Sequence, residues 1–485
     1  MCRMFMAFIV AITFFSKIAF AATYYVDSGR TNDLGAGNSW GTAKKTIEAG
    51  ITLMSKGDTL RIKSGTYTSG ISVNGKDGTA WTIGNYYYAC SDDGNGNYGD
   101  VEVSGNIGIG GSFTAFSPTV LFVAGSNYWW FDGIDILPSN SNKSGVFVSK
   151  NTGWTGSDPK GMGIKLTNCT INGAATNALI AIWSMNDVII TDCSLNCADC
   201  RSESNDGAMI RIISKNNDDG SSACDGVTFQ NNEVQGTYSN EYGALWLKST
   251  KNTDVSGNYF HNLRGSHVCY RFGAGGNHRV YNNVHELGGS NYVSSEAFHV
   301  YWFRAFTTGG DGVSSVHDGH IYNNTIYTGT NSMGSDWGIF RMEDDVQDCI
   351  IQNNLIIGNQ PDGTNSVLYV GNDCEEGSSY MANNTFRNNV LTGSTRSYGW
   401  YRNQASCEDW TIYDNIDAVG TSFLYLSEGR PFPYYGLNQS RDGTSNSPTP
   451  TIDFVGTPRG SQPDVGAFES WAEIPPNPPK ELKIK

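Results

Sequence analysis

Long apolar runs are missing from this 485-residue chain once its first fifteen residues are passed, and no later stretch is apolar enough to cross a bilayer. Leucine-rich amphipathic helix patterns are nearly absent as well, which excludes helical bundles and helical repeats. Basic residues are the minority: 32 Lys and Arg face 47 Asp and Glu, for a formal net charge of −15. With no nucleic-acid-binding motif, that acidity excludes a DNA- or RNA-binding protein. No histidine lies at zinc spacing from Cys193, Cys197 and Cys200, so a metal-site reading of these cysteines is weak.

What is abundant is glycine (58 residues) and aromatics, with Tyr 25, Phe 22 and Trp 12. Gly and Asn supply left-handed turns, and aromatics suit broad pleated faces. A disordered chain would lack this aromatic and β-branched content. A polar doublet recurs in one local frame: Phe229-Gln230-Asn231-Asn232, Val280-Tyr281-Asn282-Asn283, Ile321-Tyr322-Asn323-Asn324, Ile351-Gln352-Asn353-Asn354 and Phe386-Arg387-Asn388-Asn389. Looser copies end at Asn168, Asp192, Asn258 and Asn415. Uninterrupted steps are short: 24 residues from Asn168 to Asp192, 26 from Asn232 to Asn258, 25 from Asn258 to Asn283. A period in the twenties built from short alternating strands marks a solenoid whose asparagines stack coil on coil. The expected fold is all-β: a right-handed parallel β-helix with a short N-terminal capping helix over Thr46 to Met54. Phe229, Val280, Ile321, Ile351 and Phe386 are expected in one buried stack.

Arg3, the apolar run from Met4 to Phe15 and the small-x-small site Ala19-Phe20-Ala21 predict a secretory signal peptide cut after Ala21. The expected location is therefore secreted, periplasmic or cell-surface, with no membrane anchor. Setting Cys2 aside leaves ten cysteines, an even number suited to an oxidising compartment. Cys197, Cys200 and Cys224 are the best disulfide candidates. Cys169 and Cys193 are expected to stack in adjacent coils, as a bonded pair or as a plain core ladder. The expected organisation is a leader (1–21), a capping module with the first coils (22–105), the β-helix body (106–420), a closing segment (421–471) and a Pro-rich tail (472–485).

Tyr24-Tyr25-Val26-Asp27-Ser28, Gly57-Asp58-Thr59-Leu60 with Gly65-Thr66-Tyr67, and the closing Pro463-Asp464-Val465-Gly466-Ala467-Phe468-Glu469 resemble secreted bacterial proteins of the pectin-lyase-like superfamily. This fold hosts lyases, hydrolases, epimerases and adhesins, so it does not give function. Arg61-Ile62-Lys63 matches a polygalacturonase tripeptide but precedes any acidic motif, and the Arg-x-Pro-x-x-Arg element of classical pectate lyases is absent. Leu247-Lys248-Ser249 through Tyr270-Arg271-Phe272-Gly273 is similar to the alginate lyase and chondroitinase B family. That resemblance implies Lys248 as base, Arg271 as its partner and calcium as a cofactor. Phe272 replaces the family histidine. Glu241 fits one calcium ligand, while Gly243 occupies the place of the other.

Strand alternation alone puts Trp246 and Lys248 outward, then His267 and Arg271, then His299 and Tyr301, then Arg341 and Glu343, with Arg211 on the preceding coil. Such a stripe of cations and aromatics on an acidic protein suits an acidic polysaccharide, bound by a monomer. The chemistry it favours is β-elimination on a uronate, which needs a neutralised carboxylate and a free base. A guanidinium about 5 Å from Lys248 would repel its protonated form by roughly 3 kcal/mol at an effective dielectric near 20. His267 or His299 is the competing base, and Trp246 and Tyr301 would stack on sugar rings. A hydrolase would need a carboxylate pair, for which Glu343 with Asp344 or Asp345 is available. His317-Asp318-Gly319-His320 is read as a polar strand lead-in before a metal site. The rival class is a non-catalytic glycan-binding adhesin.

Overall fold

The computed structural model describes residues 21–109, 111–150, 161–200, 208–214, 223–238, 243–271, 276–293, 299–304, 316–329, 338–343, 346–358, 366–370, 383–392, 399–403, 410–413, 416–417, 423–425, 435–437 and 458. The leader through Phe20, Glu241, the Pro-rich tail and most of the closing segment lie outside them. Short strands recur three per coil and assemble, among the described residues, into sheets of thirteen, twelve and eleven strands. The first sheet runs from Thr23–Val26 to Trp410–Tyr413, the second from Gly65–Tyr67 to Ile416–Asp417, and the third from Ile71–Asn74 to Gly399–Asn403. Pairing within all three is parallel, and each strand neighbours its equivalent one coil away, so the molecule is a parallel β-helix. Twelve steps of about 4.8 Å make the first sheet about 58 Å long.

The Asn doublets explain how the coils stay in register. The first member of each sits in the left-handed region at one corner, with φ of 55° at Asn231, 54° at Asn282 and Asn323, 55° at Asn353 and 50° at Asn388. Gly257 takes that corner, at φ 65°, in the looser copy before Asn258. The second member turns inward. Asn232, Asn258, Asn283, Asn324, Asn354 and Asn389 form a buried ladder in which each Oδ1 from Asn258 on accepts the backbone N–H and the Nδ2 of the preceding rung at 2.9–3.0 Å, and Asn232 Oδ1 accepts the Cys193 N–H. Each Nδ2 from Asn258 on also donates to a main-chain carbonyl, as Asn258 does to Phe229 at 2.8 Å. The tight bend thus leaves no buried amide of the ladder unsatisfied. Beside it, Ile190, Phe229, Val255, Val280, Ile321, Ile351 and Phe386 stack in register, all fully buried.

The helix Ile47–Leu53 covers the N-terminal end of this core. Thr46 caps it by accepting the Ala49 N–H, and Asp33 accepts the N–H groups of Lys45 and Thr46. Ile47 and Ile51 are buried, and a Cβ on Gly50 would lie 2.6 Å from Val26 Cγ2, so this close docking requires glycine. Among the described cysteines, Cys197 and Cys200 are bonded to one another, and Cys224 is buried outside that bond. Cys169 and Cys193 are free and buried, a ladder and not a bond. No helix among the described residues is long and apolar enough to cross a membrane.

Candidate functional site on the outer face of the third sheet

Four strands of the third sheet share one frame: Leu245-Trp246-Leu247-Lys248, Val268-Cys269-Tyr270-Arg271, Tyr301-Trp302-Phe303-Arg304 and Phe340-Arg341-Met342-Glu343. Their first and third residues enter the lumen core, and the second residues Trp246, Cys269 and Trp302 pack together on the outer face; the fourth residues share one register position, which alternates with the lumen positions. Two columns result. One reads Arg211, Trp246, Cys269, Trp302, Arg341, and the other Ile213, Lys248, Arg271, Arg304, Glu343. Lys248 and Arg271 are therefore direct partners on neighbouring strands, and Arg304 extends the cationic column by one more coil. Arg304 and Trp302 were missed by sequence reasoning, although the repeated four-residue frame contains both.

The outer face differs from the solvated stripe expected of it. Trp246, Cys269 and Trp302 pack together with Ile213 and Ala208 as a second buried layer, so Trp246 presents no open stacking surface. Arg211 is buried and donates to the carbonyls of Ala208 and Asn177, with its guanidinium 5.8 Å from the Phe116 ring. Arg341 and Glu343 are each 5% exposed and tied to one another. Arg341 donates from Nε and Nη2 to Glu343 Oε1 at 2.8 and 2.7 Å, and its guanidinium lies 4.2 Å over Trp302, whose Nε1 donates to Oε2 at 2.9 Å. A desolvated ion pair persists where its remaining lone pairs are satisfied in this way. Lys248, by contrast, is half-buried.

Two expected outward residues face inward. Tyr301 belongs to the lumen core, and His267 occupies the inward corner position that Ala244 and Val300 hold in the flanking coils. The reason is local: Ala244 and Leu245, like Val300 and Tyr301, both point into the lumen, so alternation slips by one residue at the corner. His267 meets His285, Nδ1 to Nδ1 at 2.9 Å, and His285 Nε2 bonds the Tyr301 hydroxyl. If Tyr301 donates, His285 must carry its proton on Nδ1 and His267 must accept there, leaving the His267 Nε2–H as a buried donor without a partner. Behind the same strands, Thr253 Oγ1 bonds Tyr270 Oη at 3.1 Å and His278 Nδ1 at 2.9 Å. Burial pushes His267 down to about 3 and His285 well below the ordinary histidine range. His299 is buried too, 5.0 Å from the Trp302 ring, and burial followed by the Arg341 charge holds it neutral.

The described residues supply no carboxylate at the places where the resemblance expects calcium ligands. Glu241, Asp344 and Asp345 lie outside them, and at Gly243, φ +84°, any Cβ would come within 2.8 Å of the His267 carbonyl. The second carboxylate that the resemblance calls for has no room there. His320 pairs with Asp318 at 3.3 Å, and no metal-binding cluster of His, Cys, Asp or Glu occurs among the described residues.

The chain matches no protein-family model, and in sequence it matches no curated protein. Solved structures are similar to it in fold. Pectate lyase Pel9A aligns over 93% of this chain and 97% of its own, at 15% identity and a TM-score of 0.43. A GH136 lacto-N-biosidase from Eubacterium ramulus aligns over 82% and 68%, at 12% identity and 0.42. A PL6-family alginate lyase aligns over 81% of this chain and 55% of its own, at 12% identity and 0.32. All three are parallel β-helix proteins.

Proposed function

We propose that the protein cleaves a uronic-acid-containing polysaccharide outside the cytoplasm by β-elimination, with Lys248 as base and Arg271 as its partner. The observation that carries this reading is the column Lys248, Arg271, Arg304 on three successive strands of a protein whose net charge is −15. Elimination passes the proton beside the sugar carboxylate to Lys248, forms the ring double bond and expels the glycosidic oxygen, which takes a proton from water. Charge builds on the carboxylate during the step, so cations at strand spacing are suited to hold it. Guanidinium groups at that spacing would disfavour protonated Lys248, which is what a base requires. Arg304 would serve the carboxylate of the adjoining sugar. Hydrolysis is the weaker reading, because both oxygens of Glu343 are already engaged by Arg341 and Trp302. Glycan binding without turnover is supported by the buried Trp246, Arg211 and Arg341, which confine contact to one column.

The test is absorbance near 235 nm when the protein meets a panel of polyuronates. A rise from unsaturated ends is the expected result. New reducing ends without that absorbance would replace elimination by hydrolysis, and binding without either would leave the adhesin reading.

A further inference from the structure

Among the described residues, the first held by the coil is Ala22, and it is held from both sides. Its carbonyl accepts the Thr59 N–H at 2.8 Å, one residue before the first strand begins its register with the second. Its own N–H donates to Asp58 Oδ1 at 2.7 Å. Asp58 is only 6% exposed, and its Oδ2 accepts the Ser55 N–H at 2.7 Å. Ala21, one residue earlier, is exposed. A neutral peptide N–H is thus aimed at the oxygen of a buried carboxylate whose other oxygen is taken. Lys76, on which the Asp58 charge acts, donates instead to the Met54 carbonyl at 2.7 Å.

We propose that the chain is hydrolysed between Ala21 and Ala22 and that the new α-ammonium of Ala22 docks on Asp58 as a buried ion pair. Water supplies the hydroxyl to the Ala21 carbonyl and the proton to the Ala22 nitrogen, catalysed by a leader peptidase. The product exchanges a peptide N–H for an ammonium in the same place. An N–O distance of 2.7 Å is already that of a charge-assisted bond. Processing then does more than remove the leader: it supplies the missing counter-charge and fastens the first strand to the capped end of the core. The ionisable groups that sense Asp58 are Lys76 and Tyr87, and Asp77 acts on Tyr87 beside it. None of these lies closer to Asp58 in hydrogen-bonding terms than Ala22.

The experiment compares the exported mature chain with one that retains Ala21. Mass mapping should place the mature terminus at Ala22. Pairing raises the amine above its ordinary value of about 7.7–8.0, so its stabilisation is present below that range and lost as pH rises through the raised value. At pH 7 the Ala22 amine should react with an acylating reagent about tenfold more slowly than the same amine in an unfolded peptide, for a rise of about one unit. The mature chain should melt higher than the Ala21-bearing chain at pH 7, with the gap closing in alkali and in Asp58→Asn. A mature terminus elsewhere, peptide-like reactivity of the amine, or a gap that survives Asp58→Asn would each overturn the proposal. The amine titration needs no substitution, so it decides even if Asp58→Asn fails to fold.

Discussion

The lumen of this β-helix is built in two ways. Between Ile164 and Leu195 it is aliphatic, with Ile164, Leu166, Ile171, Ile180, Ile182, Val188, Ile190 and Leu195 at most 1% exposed. Between Thr253 and Tyr301 the same three sheets enclose His267, Tyr270, His278, His285 and Tyr301, linked by hydrogen bonds. Both segments are equally sealed, so burial alone does not decide which residues a coil accepts. Apolar filling draws stability from area removed from water, whereas the polar segment depends on each group finding its partner. The polar segment also lies directly behind the strands that carry Lys248, Arg271 and Arg304: Tyr270 sits between Cys269 and Arg271 in one strand. A rigid hydrogen-bonded backing for the cationic column is a physical reason to accept the desolvation it entails.

That contrast can be broken from several directions. In the apolar stack, Phe229→Ala should cost about 3–5 kcal/mol, measured by denaturant unfolding, because the neighbouring coils cannot collapse into the cavity. In the ladder, Asn258→Ala should cost about 2–4 kcal/mol, since it strands the Asn232 N–H and the Phe229 carbonyl in the wall. The polar segment should be selectively acid-labile. His267 is depressed to about 3 against an unfolded value near 6.5, so the unfolded chain binds more protons between those limits. Its contribution is complete above about pH 6.5 and falls by up to about 1.4 kcal/mol per pH unit below it, with His285 adding to the slope. Replacing His267 by Leu should flatten the pH dependence of unfolding without restoring all of the stability lost with the His285 bond. The smallest effect belongs to the other member of the doublet: Asn231→Gly should change stability by no more than about 0.5 kcal/mol, because that corner asks only for a left-handed backbone. A small effect at the corner residue Asn231 beside a large one at the ladder residue Asn258 would separate the two jobs of the repeated doublet.

Much of this architecture is legible in the chain. The doublet frame predicts the corner, the ladder and the stack from Phe229 to Phe386, because each depends on residues adjacent in sequence. The capping helix is legible for the same reason, through Thr46 and the spacing of Ile47 and Ile51. Orientation in the third sheet is not, because alternation fails where two consecutive residues turn inward at the corner. That slip hides the inward course of His267 and Tyr301 and conceals Trp302 and Arg304. Burial of the outer face is invisible to alternation altogether, since a residue pointing away from one core is free to enter another. Trp246, Arg211 and the Arg341–Glu343 pair are of this kind.

The account of function rests on the partnership of Lys248 and Arg271 across one strand spacing. Its most direct test follows unsaturated product at 235 nm from the Lys248→Ala and Arg271→Ala proteins, with polysaccharide binding measured in parallel on whichever polyuronate the wild type cleaves. Lys248→Ala should abolish turnover and leave binding largely intact, and Arg271→Ala should lose both rate and affinity. Lys248→Arg should be nearly as damaging as Lys248→Ala, because a guanidinium keeps its proton. Undiminished elimination by Lys248→Ala would contradict the account and move the base elsewhere in the protein.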